Sequence, residues 1–249
     1  MESVRTPFQG VWNIVRFNWP MFAITAGATA LAIIIAAFTP PPINWALHLV
    51  AIGALTGTTI SLAASYLIYD RSPLYQLPWL TTLDISESST IIIINAGFDE
   101  ISSQLAQSYP NACHHFWDFY DSDKHTEPSI LRARNAYPPH PSTIQVETHT
   151  LPHLDHSADM ICLMMSAHEI RDPKERRTFF SELHRILSPS GTLWITEHLR
   201  DTPNFLAYSI GALHFHSHRE WLSVFEDTGF HLQSELKTTP FVSTFILTK

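Results

Sequence analysis

The chain has 249 residues and a formal net charge of −8, so it lacks the basic surplus that gripping phosphates requires, which argues against nucleic-acid binding. The length suits one α/β domain plus an appendage. Two cysteines, Cys113 and Cys162, lie in apolar runs that read as strands. Reduced core thiols are therefore expected, not a disulfide framework.

In chain order, residues 1–20 read as a cytoplasmic N-terminal segment. From Phe17 to Tyr69 there is not one Asp, Glu, Lys or Arg. Residues 21–38 form an apolar run close to the ~20 residues that a bilayer core asks of a helix. Thr39 and Pro40 to Pro42 end it, because proline cannot continue a helix. Residues 45–69 are long enough to span again, with Trp19, Trp45, Tyr66 and Tyr69 near the ends, where aromatic rings favour the interface. Residues 21–69 are thus expected to form a transmembrane helical hairpin with the lipid bilayer as partner. Gly53, Gly57 and Ser61 recur at a spacing that suits close approach to Gly27 on the first span. Arg5 and Arg16 precede the hairpin, Arg71 follows it, and the connecting loop carries no charge, which places both termini in the cytoplasm. Residues 70–87 read as a juxtamembrane linker, lying on the surface or walling an entrance beside the lipid.

From residue 88 to 249, short apolar runs alternate with helical ones, which predicts a parallel sheet with crossover helices. Ile91 to Ile94 form a buried strand that runs into Asn95-Ala96-Gly97-Phe98-Asp99-Glu100 and then a helical stretch. A strand, a glycine turn and a helix cradle nucleotide-like cofactors, since glycine lets the backbone approach closely. A second strand ends at Asp118, about 20 residues past that turn, where an acid can hold ribose hydroxyls, with Asp121 as reserve. Asp99 and Glu100 suit the positive start of a helix and disfavour a phosphate there. The stretch 118–142 is long and mixed in charge, which suggests a lid, with Arg132 and Arg134 able to hold an acidic group or lie solvated on a short helix.

The run LPHLDHSADMICLMMSAHEIRDPKERRTFFSELHRILSPSGTLWITEH, residues 151–198, resembles the central block of class I S-adenosylmethionine (SAM)-dependent methyltransferases of the type 11 kind. The resemblance covers roughly residues 88–249 and implies a Rossmann-like α/β fold with a seven-stranded sheet closed by an antiparallel hairpin. It implies SAM as cofactor and a domain facing the cytoplasm, where SAM is made. By resemblance, Asn95, Ala96 and Gly97 form the cofactor turn and Asp118 holds the ribose. Glu147 and Thr148 contact the adenine, while Ser166, Ala167 and His168 line the face where the methyl group moves. NAGFDE departs from the family by holding one glycine where two or three are usual, and Phe98 stands where a small residue is expected.

Methylation of oxygen needs a base that works near neutral pH. His168 is the first candidate and His198 the second, with Glu197 or Glu169 orienting the ring. His214, His216 and His218 are expected to open the next helix, and Asn204, Phe205 and Tyr208 could line an acceptor pocket. No HExxH or CxxC spacing occurs, so no metal ligands are assigned. The expected function is methylation of a hydrophobic, membrane-resident small molecule such as a quinone, polyene, isoprenoid or lipid. The alternatives are a non-catalytic membrane adaptor that keeps the fold, or a metal-assisted enzyme built on it.

Overall fold

The computed structural model describes residues 5–77, 86–125 and 127–249. The part of the 70–87 linker that falls on 78–85 lies outside the described residues.

Helix α1 (Gln9–Phe17) precedes two long helices, α2 (Trp19–Phe38) and α3 (Ile43–Tyr66). Both long helices have the length and composition to cross a membrane. Only 11% of the most apolar window of the first and 6% of that of the second is buried within the protein, so neither is a core helix of the domain. The glycine stripe does not make their contact. A Cβ added at Gly27, Gly53 or Gly57 would meet nothing within 4 Å. The buried small residues of the pair are Thr29, Ala32 and Ala36 on α2 and Ala51, Ala64 and Ser65 on α3.

Helix α3 continues through a π-helical turn (Leu67–Arg71) and a 3-10 turn (Leu74–Gln76) into the domain. There follow β1 (Thr90–Asn95), α4 (Ser102–Ser108), β2 (Cys113–Asp118), α5 (Pro128–Ala136) and β3 (Thr143–Gln145). Then come β4 (Ala158–Met164), α6 (Pro173–Ile186), β5 (Leu187–His198), α7 (Thr202–Tyr208), α8 (His218–Asp227), β6 (His231–Thr239) and β7 (Val242–Thr248). The seven strands form one sheet in the order β3-β2-β1-β4-β5-β7-β6. Neighbours run parallel from β3 to β5, and β7 is antiparallel to both β5 and β6.

Alternation along β1 sends its isoleucines to two cores. Ile92 and Ile94 join Phe179, Phe180 and Leu183 of α6 and Trp221 and Phe225 of α8. Ile91 and Ile93 join Ile101, Leu105 and, from the stretch below α3, Ile68, Leu74 and Leu77. Of these, Leu74 and Leu77 belong to the linker and are at most 3% exposed, so they anchor it in the core while Arg71, Pro73 and Gln76 stay on the surface.

Three further expectations change. Residues 118–142 contain a helix, α5, that rests against α1. Arg132 donates to the Phe17 carbonyl at the end of α1, and so ties the two helices instead of facing solvent. Cys113 is exposed at the start of β2; only Cys162 is a core thiol, pushed up to about 12 by burial. Helix α8 begins after Ser217, whose side chain and that of Glu220 form a reciprocal cap. His214 and His216 therefore precede the helix, and only His218 opens it.

Candidate functional site

The strand order reverses between β1 and β4, and ligands of open α/β sheets bind beyond the carboxyl ends of the strands at that point. A cavity of about 390 Å³ opens there, inside the range of about 300–1,000 Å³ usual for small-molecule sites. The sheet ends supply Ala96, Met165, His168, Glu169 and His198. The opposite wall comes from the N-terminal helices: Asn13, Phe17, Met21, Phe22, Ser61 and Tyr69.

The turn after β1 is built as the sequence implies. Gly97 has φ +91°, a conformation glycine tolerates, and its N–H donates to Asn95 Oδ1 at 3.0 Å. Asn95 is 4% exposed, and its Nδ2 has no hydrogen-bond partner among the described residues. Asp118 ends β2 beside it, buried, accepting from the Tyr120 N–H at 2.8 Å and from the Arg134 guanidinium. Arg134 also lies across the turn, since a Cβ on Gly97 would come within 2.9 Å of its Cδ. Phe98 rests against Phe17 and Tyr137, with centroids 5.6 and 5.5 Å away.

Glu100, at the far end of the turn, accepts from the Tyr75 hydroxyl, with Arg5 at 3.7 Å and stacked over the Tyr75 ring. Burial raises its pKa, and Tyr75 and Arg5 oppose that shift.

After β4, His168 donates from Nδ1 to Glu197 Oε2 at 2.6 Å, while its backbone N–H meets Glu197 Oε1 at 3.2 Å. Its Nε2 is 3.4 Å from Glu169 Oε1, which is also 3.5 Å from His214 Nε2. Burial alone would lower the pKa of His168, but the two carboxylates prevail and raise it to about 10. Burial likewise works to raise Glu169, yet His168 and His214 beside it hold it well below the usual range. Beyond them, Glu127 accepts from Arg171, which also touches His214 Nδ1.

His198 is different. Its Nδ1 lies 3.0 Å from the Phe241 carbonyl, an obligate acceptor, so Nδ1 carries the proton. Nε2 then accepts from the Tyr69 hydroxyl at 2.7 Å. Burial lowers its pKa to about 4. Asn204 is fully buried and contacts His198 Nδ1 at 3.1 Å, Tyr208 lines the cavity, and Phe205 is half-exposed and outside it.

The structure thus gathers Ala96, His168, Glu169 and His198 at the cavity, with Asn95, Gly97 and Glu197 directly behind. Asp118 sits beneath Arg134. Ser166 is buried and donates to the Ile94 carbonyl, tying β4 to β1. Glu147 is exposed and Thr148 is bonded to Glu175, so neither lines the cavity. Sequence reasoning missed Tyr69, Tyr75 and Arg5 as site residues. Their signals, an aromatic at a span end and a cation flanking it, are the ordinary marks of a membrane boundary.

Residues 103–195 match the methyltransferase domain family. Among solved structures, the chain is similar to a SAM-dependent methyltransferase from Aquifex aeolicus, at 14% identity over 78% of this chain and 96% of that one, with a TM-score of 0.52. A Haloferax volcanii protein solved with the Trm112 methyltransferase activator is 15% identical over 77% of this chain and 96% of that one, with a TM-score of 0.51. A LepI variant solved with S-adenosylhomocysteine and a substrate analogue is 18% identical over 78% of this chain and 52% of that one, with a TM-score of 0.50. No curated protein matches the chain. From α4 to β5 the sequence matches a methyltransferase domain, and the seven-stranded sheet around that match is the α/β methyltransferase fold.

Proposed function

We propose that the protein is a membrane-anchored SAM-dependent methyltransferase acting on a hydrophobic molecule that reaches the cavity from the bilayer. One observation carries this reading: the wall facing the sheet ends is made by the apolar hairpin itself, with Met21, Phe22, Ser61 and Tyr69 opposite Ala96, His168 and His198. A water-soluble acceptor would have no use for such a wall. The neighbouring segment agrees, because Leu206 on α7, which packs beside α3, and Ile210 just after it are 72% and 78% exposed.

The residues present fit SAM. The positive-φ Gly97 turn lets the backbone approach closely, Asn95 Nδ2 is a buried donor without a partner among the described residues, and Asp118 at the end of β2 supports a role in holding ribose hydroxyls. Glu100 and Arg5 offer one charge of each sign to the ammonium and carboxylate of its amino-acid end. Arg134 spans Gly97 and Asp118 now, but it is a flexible side chain that can withdraw. SAM supplies an electrophilic methyl group on its sulfonium.

The remaining work falls to this chain. In the chain without a metal, Glu197 and Glu169 flank His168 and favour its protonated form, which suits it to orient an acceptor more than to deprotonate one. The Tyr69–His198 pair is the better proton acceptor: Tyr69 can take a proton from the acceptor while passing its own to His198 Nε2. The closed arrangement of Arg134 over Asp118 favours one other reading, a non-catalytic adaptor that keeps the fold. Calorimetric titration of the detergent-purified chain with SAM separates the two, and absence of binding at millimolar SAM sinks the enzyme reading. With methyl-labelled SAM and extracted lipids, label should pass to an organic-soluble product. Tyr69→Phe should keep SAM binding and lose on the order of 10²–10⁴-fold in turnover.

A further inference from the structure

We propose that His168, Glu169 and His214 form a site for one divalent first-row transition cation, of the zinc or iron(II) class, in the wall of the cavity. His168 and Glu169 come from a 3-10 turn (Ala167–Glu169) after β4, and His214 ends a second such turn (Ser209–His214) after α7. One ligand atom from each of the three lies within 4.8 Å of the others.

The distances discriminate. Glu169 Oε1 stands 3.4 Å from His168 Nε2 and 3.5 Å from His214 Nε2. Those are long for hydrogen bonds. These two edges match the about 3.4 Å of a tetrahedron with arms of about 2.1 Å, and the third, between the two histidines, lies within 4.8 Å and closes as an ion is taken up. The second, independent observation is Glu169 Oε2. It belongs to a residue only 3% exposed and has no hydrogen-bond partner among the described residues. An ion gripped by both oxygens of this carboxylate would give the buried Oε2 a partner.

The outer shell is also in place. Glu197 is fully buried and takes the Nδ1–H of His168 at 2.6 Å, the carboxylate–histidine arrangement that fixes a ligating ring and turns its Nε2 to the ion. Glu127 lies 3.6 Å from His214 Nδ1 and can do the same once the exposed Arg171 guanidinium, which now touches that nitrogen, moves aside. Two imidazoles and one carboxylate suit zinc or iron(II) better than magnesium or calcium, which prefer oxygen. Three protein ligands leave a position toward the cavity, where an acceptor oxygen would bind and lose its proton more readily. That last role alone rests on the function proposed above.

The test uses the tag-free full chain in detergent, stripped with a chelator and titrated with cobalt(II) chloride, without SAM or acceptor. Visible d–d absorption should saturate at one equivalent and disappear when zinc is added. Glu169→Gln and His214→Asn should each weaken binding by about 100-fold, and Glu197→Gln by about 10-fold. His231→Asn, on the exposed edge of β6, should change nothing. His214 is half-buried on a turn and decides the matter if Glu169→Gln does not fold. The proposal is overturned if cobalt fails to saturate, or if His214→Asn binds it as the wild type does. A chain that takes up no cobalt but still binds SAM would leave the methyltransferase reading standing and remove only this site.

Discussion

Arg134 is the residue on which cofactor entry turns. Its guanidinium bonds the Asp118 carboxylate and its stem covers the Gly97 turn, so on the function proposed above it holds the ground that an adenosine ribose would take. Its side chain is 29% exposed, whereas that of Asp118 is 3% exposed. Solvent therefore stabilises the withdrawn arginine, while the acid left behind needs a new donor. Ribose hydroxyls are such donors. Shortening the side chain should then favour SAM over the closed form: Arg134→Met is expected to tighten SAM binding about tenfold, or about 1.4 kcal/mol. The same change should lower the thermal midpoint of the SAM-free chain, because a buried carboxylate loses its partner. Asp118→Asn should weaken SAM binding in either background. Calorimetry on the three variants checks this, and weaker binding in Arg134→Met would show that Arg134 assists the cofactor instead of competing with it.

At the scale of elements, α1 is the unexpected part. Asp70 accepts from the backbone N–H groups of Gly10 and Val11, at 2.7 and 2.9 Å, so a residue below α3 caps the start of a helix 60 positions earlier. The fit leaves no space, since a Cβ on Gly10 would come within 2.3 Å of Tyr69 Cβ. Gly10→Val should lift α1 from its seat and expose residues 5–17 to protease, while leaving the long helices intact. Asp70→Asn, which keeps the shape and drops the charge, should cost about 1 kcal/mol of thermal stability. Limited proteolysis and a melting curve for each variant read this out; a wild-type cleavage pattern in Gly10→Val would mean that α1 is held elsewhere. This element shows why some of the fold could be read in the sequence and some could not. Ile91 to Ile94 announce β1 because four β-branched residues in a row suit a strand buried on both faces. The glycine turn and the end of β2 follow from local spacing. Helix α5 carries a polar, arginine-rich face and looks like loop until α1 is set against it. The Tyr69–His198 bond joins positions 129 apart, and no periodicity encodes such a contact. The same holds for Gly53 and Gly57, whose spacing is that of a helix contact they do not make.

Over the whole molecule, the hairpin, α1 and the sheet determine which way the domain faces. A short turn joins α2 to α3, so α1 and the domain emerge on one side, and they touch each other through α5. The carboxyl ends of the parallel strands face the hairpin, so their amino ends face away from it. Cys113 starts β2 at that far end and is exposed, whereas Cys162 is 1% exposed with its thiol pushed up to about 12. Since the thiolate is the reactive form, Cys113 is a natural single reporter of sidedness. On the membrane-anchored reading proposed above, the arginines flanking the hairpin favour the cytosolic side for both termini, where SAM is made. A charged maleimide that cannot cross membranes should leave Cys113 unlabelled in intact cells. It should label it fully once digitonin opens the plasma membrane alone, whichever cellular membrane holds the hairpin. Cys113→Ser should abolish the signal, which assigns the label to that position. Labelling in intact cells, or only after complete solubilisation, would put the domain on the far side of its membrane from the cytosolic SAM supply. The orientation drawn here would then be reversed, and the methyl donor would need another source.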